Sequence, residues 1–148
     1  MFLGEFQHTM DSKGRVVIPS KFREELQQGC VITKGQDNCL QILTKDNWES
    51  EASKMASLPS TDRTSRQLRR ALFSGAVDVK IDSAGRVQVP ENLRAYSGID
   101  INEEVTVTGS GPVVEVWSTR SWKKIQNEAD QAFANINEVK GEVHSQLS

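Results

Sequence analysis

Two short segments of this 148-residue chain place a guanidinium four residues after a carboxylate: Asp11-Ser12-Lys13-Gly14-Arg15 and Asp82-Ser83-Ala84-Gly85-Arg86. Three chemistries are open to such a pattern. Two carboxylates brought together could share a proton and act as an acid–base pair, but an arginine beside each one favours the ionised form of both. The pair could form an ion pair that only shapes a turn, although exposed pairs of this kind contribute little stability. Arginine could instead contact an anion, since its planar fork of five donors suits a phosphate or a guanine edge. We assign Asp11, Gly14, Asp82 and Gly85 to organising the turns. Arg15, Lys13 and Arg86 are the candidate anion contacts, with Ser12 and Ser83 able to add neutral phosphate contacts.

The elements that must position these residues are written twice. Phe2 to Pro19 returns 71 positions later as Phe73 to Pro90, with Phe, Gly, Asp, Ser, Gly, Arg, Val and Pro in register, and Arg23 returns as Arg94. Further on the offset is 74, so that Val31–Gly35 matches Val105–Gly109 and Leu40–Trp48 matches Val114–Trp122. Repetition of this extent marks a duplicated structural unit. In each copy, alternation predicts two short strands joined at the Asp-Ser-x-Gly turn. Gly14 and Gly85 can take the positive φ that closes it, and the aspartates can accept from backbone amides inside it.

Val17 is replaced by Gln88, which puts that position on the outer face. Val16, Val87, Ile18 and Val89 then face inward, and Arg15 and Arg86 outward. Pro19 and Pro90 suit the start of short helices, Ser20–Leu26 and Glu91–Tyr96. Strands follow at Val31–Lys34 with Leu40–Leu43, and at Val105–Thr108 with Val113–Trp117. Thr44 and Ser118 are candidate N-caps of closing helices. The first carries Trp48, Ala52 and Met55. The second carries Trp122, Ile125, Ala129, Phe133 and Ile136 along one face. Thr61-Asp62-Arg63 opens an arginine-rich helix running to about Phe73, whose Arg63, Arg66 and Arg70 read as a solvated face or subunit contact. Phe2, Phe73, Trp48 and Trp122 are expected in the core, and the chain beyond about Asn137 is polar.

Composition narrows the classes. Hydrophobic residues make up 36% and charged residues 26%, enough for a modest core. Neither copy alone is long enough to bury a comfortable core, so the two should pack together as a pseudo-dimer. The fold expected is α+β, mainly β: tandem hairpin repeats at 5–47 and 76–119, linking helices at 48–75, and a helix with a polar tail at 120–148. No apolar run reaches membrane-spanning length, and no signal-peptide pattern opens the chain, so a soluble cytoplasmic protein is expected. Cys30 and Cys39 lack the further ligands a zinc site needs and read as reduced thiols. No nucleophile–base set, glycine-rich phosphate cradle or metal cluster is visible. We therefore expect no enzymatic activity, no cofactor, no metal and no small-molecule substrate. The net charge is −2; residues 1–70 carry 11 Lys/Arg against 9 Asp/Glu, whereas residues 71–148 carry 7 against 11. Any anion-binding surface is then local.

The pattern Asp-Ser-x-Gly-Arg-Val-x-[Ile/Val]-Pro, followed by a short helix, resembles the swapped-hairpin DNA-binding unit of the SpoVT/AbrB group. Two tandem copies opening on Met-Phe-x-Gly resemble the MraZ family from Phe2 to Trp122. That resemblance implies a cytoplasmic, nucleoid-associated transcriptional regulator of the division and cell-wall gene cluster. It further implies a ring-like homo-oligomer binding repeated promoter-proximal boxes of double-stranded DNA, and no membrane partner. Carried over by position, the DNA-contacting Asp-x-x-x-Arg loops fall on Asp11 to Arg15 and Asp82 to Arg86. Lys13 faces Ala84 in the other copy, so the second loop is expected to contribute less. An antitoxin-like protein-interaction module is the competing reading; it leaves Lys13 and Arg15 without a task.

Overall fold

The computed structural model describes residues 1–136. The chain divides into two compact units, one spanning Met1–Ser118 and the other beginning at Thr119. The first repeat supplies β1 (Glu5–Thr9), β2 (Arg15–Val17), α1 (Ser20–Leu26), β3 (Cys30–Lys34), β4 (Leu40–Thr44) and α2 (Lys45–Ala56). After α3 (Arg63–Gly75), the second supplies β5 (Val77–Val79), β6 (Arg86–Gln88), α4 (Glu91–Ser97), β7 (Glu104–Gly109), β8 (Val114–Ser118) and α5 (Thr119–Ala134). The fold is thus α+β, built on two antiparallel sheets from tandem repeats packed as an intrachain pseudo-dimer.

The strands flanking each Asp-Ser-x-Gly turn are joined by it but do not pair with each other. A six-stranded sheet runs β1-β7-β8-β4-β3-β5, and β2 pairs with β6 in a separate two-stranded ribbon. The first strand of each repeat has crossed to the other: β1 lies on β7 and β5 on β3, while β4 and β8 join the halves at the centre. Alternation specifies which residues share a face, not which strand lies alongside.

Burial follows the alternation where one face is solvated. In β1 only Phe6 and His8 are partly covered, whereas β3 is buried at Cys30, Val31, Ile32 and Thr33. The second face of β3 meets α3, and the Thr33 hydroxyl donates to the Leu72 carbonyl at 2.8 Å. Two-stranded ribbons are marginal alone, but Val16, Ile18, Val87 and Val89 are all fully buried beneath this one. The helices α1 and α4 follow Pro19 and Pro90 as expected and bury Phe22 with Leu26 and Leu93 with Ser97, respectively. The Thr44 hydroxyl accepts from the Asn47 amide and caps α2; the Asp62 side chain caps α3.

The aromatic core differs from the expectation. Phe2 is buried and meets Phe22 edge-on at 5.4 Å, and Phe6 meets the same ring at 5.4 Å. Phe22 is therefore the central aromatic. Phe73, the repeat partner of Phe2, lies near the end of α3 at 39% exposure and packs edge-on against Trp48 of α2 at 5.8 Å. Trp122 falls on α5, in the second unit, and the chain from Asn137 onward lies outside the described residues. Cys30 and Cys39 are free and buried, and burial pushes their thiols up to about 11 and about 12. Among the described residues no helix is long and apolar enough to cross a membrane.

Candidate nucleic-acid interface

Each turn is built by its aspartate. Asp11 Oδ1 accepts from the Lys13 amide and the Arg15 amide, both at 2.9 Å, while Oδ2 accepts from Arg15 Nε at 2.7 Å. Asp82 repeats the arrangement with the Ala84 amide at 3.0 Å, the Arg86 amide at 2.9 Å and Arg86 Nε at 3.0 Å. The main chain closes the same frame in both: the Asp11 and Asp82 amides donate to Arg15 and Arg86, and the Gly14 and Gly85 amides donate back. Gly14 and Gly85 sit at φ +76° and +79°, where a side chain would be strained.

Burial of the Asp11 carboxyl acts to raise its pKa. The Arg15 amide, the Arg15 side chain, the Lys13 amide and the Arg15 charge act against it and hold the carboxyl below its ordinary value. For Asp82 the Arg86 amide is the largest influence, burial opposes it, and the Arg86 side chain and Ala84 amide complete the downward shift. Each carboxylate thus has its own arginine and stays ionised, the opposite of a shared-proton pair.

The ion pairs use Nε, so each guanidinium is oriented by its aspartate. Arg15 stands opposite Gln88 and Val17 opposite Arg86 in the β2–β6 register. With Val16 and Val87 buried beneath, the outer face of the ribbon consists of Arg15, Val17, Arg86 and Gln88. Arg15 and Arg86 are offset by two residues along the strands and by one strand across. Strand geometry then puts their Cα atoms roughly 8 Å apart. Ser12, Lys13, Ser83 and Ala84 form exposed turn tips at opposite ends of the ribbon. All nine residues singled out from the sequence therefore lie on one short structure.

Two further arginines join it. Arg23 Nε donates to the Ile18 carbonyl at 2.8 Å and Arg94 Nε to the Val89 carbonyl at 3.2 Å. Each then reaches across to the turn of the other repeat. A Cβ at Gly85 would overlap the Arg23 guanidinium, and one at Gly14 would stand 3.1 Å from Arg94 Cζ. Their recurrence in register was visible in the sequence; the crossing was not. Arg66 and Arg69 instead donate to the Ser60 and Leu58 carbonyls, tying α3 to the segment before it.

The two copies exchange their first strands and share a two-stranded ribbon, so the chain is a duplicated module in which each repeat completes the other. The family model of the MraZ protein, antitoxin-like by its description, matches residues 1–71 and again residues 72–140. The chain belongs to the MraZ family, as a regulator-type module of two tandem repeats.

Proposed function

We propose that this protein is a sequence-specific DNA-binding transcriptional regulator of the division and cell-wall gene cluster. In this reading a ring-like oligomer contacts repeated upstream boxes through its Asp-x-x-x-Arg turns. The observation that carries the reading is the shared ribbon, which presents Arg15 and Arg86 on one outward face with Lys13 at one tip. A two-stranded ribbon fits the major groove, about 12 Å wide, where arginine pairs with the guanine edge. Lys13 and the seryl groups suit the flanking phosphates. One ribbon offers few cations, consistent with an isolated non-specific affinity no better than ~10⁻⁴ M. Repetition of the ribbon around an oligomer raises affinity without a new contact, provided the boxes match its spacing.

The test is a mobility-shift titration of the full chain on the DNA upstream of its own reading frame, over a series of salt concentrations. Binding should weaken steeply with salt, and Arg15→Ala should severely weaken retardation while solution mass stays unchanged. Retardation by Arg15→Ala equal to that by the wild type would overturn the reading. The family's antitoxin-like description favours a second possibility, a protein partner. Salt-insensitive capture of a protein together with absent DNA retardation would select it.

A further inference from the structure

The two turns share one backbone frame but not one environment. Val89 donates its amide to the Gly14 carbonyl at 2.8 Å, and Ile18 donates to the Gly85 carbonyl at the same distance. The register places Gln88 beside the first turn as it places Val17 beside the second. Only Gln88 can donate. Its Nε2 lies 2.7 Å from the Lys13 carbonyl and 3.4 Å from that of Gly14. A Cβ at Gly14 would stand 3.1 Å from the same nitrogen. The second repeat thus grips the turn of the first, and Val17 returns no equivalent grip.

The geometry points to Gln88 as a positioning residue: by holding the Lys13 and Gly14 carbonyls it fixes the turn that carries Lys13 and Arg15, making the first turn the stronger DNA contact of the two. The inference rests on the DNA-binding reading for its consequence, but not for the clamp itself. It is independent of the Lys13/Ala84 difference, because it acts on the order of the backbone rather than on charge.

Gln88→Met removes the donor while keeping length and charge, and Val17→Gln places the same donor beside the second turn. Hydrogen exchange on the DNA-free full chain reads the clamp directly, because the Gly14 and Gly85 amides occupy matching places. In the wild type Gly14 should exchange more slowly than Gly85. Gln88→Met should bring the two rates together, and Val17→Gln should slow Gly85. On the upstream duplex, Gln88→Met should weaken Kd by about two- to tenfold, the effect of losing one such hydrogen bond. The salt slope should not change, since no phosphate contact is lost. Arg15→Ala combined with Gln88→Met should be no weaker than Arg15→Ala alone, as expected for a residue acting through another. Val17→Gln should enlarge the loss caused by Arg86→Ala.

If the wild type shows no salt-dependent retardation, the DNA reading fails and the exchange rates still decide the clamp. If binding is present and depends on Arg15, but Gln88→Met matches the wild type in Kd and Gly14 exchange, the inference alone is overturned. A loss confined to one substituted base pair of the duplex would also overturn it, because Gln88 would then be reading a base.

Discussion

Replacing Asp11 by alanine removes one side chain that accepts three hydrogen bonds, two from backbone amides and one from Arg15 Nε. The two amides are bound as they would be by an N-cap, whose loss costs about 0.5–2 kcal/mol. The ion pair adds little: the Arg15 and Asp11 side chains keep 25% and 30% of their exposure, and pairs so placed contribute about 0–1 kcal/mol. Water can take over part of the amide hydrogen bonding. Together these give a loss of about 1–2 kcal/mol, or roughly 2–8 °C in melting temperature at this chain length. Asp11→Asn keeps an oxygen for the two amides but puts an NH2 donor where Oδ2 accepts from Arg15 Nε, so it should recover only part of the difference.

The same contacts fix the pH dependence. The folded pKa of Asp11 is depressed, so its stabilisation is fully present above the unfolded carboxylate value of about 3.9 and is lost as pH falls through the folded value. The gap between the wild type and Asp11→Ala should therefore be constant from neutral pH down to about pH 5 and narrow below about pH 4. Thermal unfolding followed by circular dichroism at several pH values reads both effects. Equal melting temperatures at pH 7, or a gap that persists undiminished at pH 2, would show that the carboxylate does not organise the turn.

Phe22→Ala should be far costlier, about 3–5 kcal/mol in denaturant unfolding, because it empties the position between Phe2 and Phe6; Phe73→Ala, at a half-exposed ring, should cost well under half as much. Gly85→Ala should destabilise more than Gly14→Ala. Both force a side chain into positive φ, but only at Gly85 does the new Cβ overlap a guanidinium, that of Arg23, and equal losses would mean that Arg23 moves aside freely. Arg86→Ala should weaken DNA binding less than Arg15→Ala, and equal losses in the mobility shift would show that the two turns contribute alike.

The local chemistry of the site could be read from the residues themselves. A glycine at the fourth position of each turn, an aspartate at the first and a proline before each short helix leave few backbone alternatives, and α1 starts and ends where the sequence places it. Comparing Val17 with Gln88 identified the outer face, because a position that accepts glutamine is not in the core. Strand partners were not legible. Alternation in β1 is satisfied equally by β2, which follows it, and by β7, which lies almost a hundred residues away. The exchanged partner adds a central sheet that a local hairpin would not. Phe73 misled for a related reason: its match to Phe2 is a match of sequence, whereas the chain around it continues α3. The role of Phe22 did have a signal, since Leu93 stands at the same distance after its proline and both are buried.

Fusion of the two copies changes what the ribbon can become. In a swapped dimer of identical chains, each outer position of the ribbon would occur twice, so a glutamine beside one turn would stand beside the other as well. Here the inward residues remain matched, Val16 with Val87 and Ile18 with Val89, because all four are fully buried and any change of volume would be felt in the packing. The outer residues carry no such constraint, and there the copies have separated: Val17 against Gln88, Lys13 against Ala84. Both differences favour the same turn, one by adding a cation and the other by holding the backbone that carries it. A covalent link also keeps the exchanged strands at high effective concentration, so the ribbon can lose its symmetry without depending on the association of two different chains. If the ribbon binds DNA as proposed, its asymmetry gives it a direction on the duplex, and the boxes it prefers should be polar rather than palindromic. Inverting one box within an array should therefore weaken binding, whereas an unchanged affinity would mean that the two turns are equivalent to the DNA.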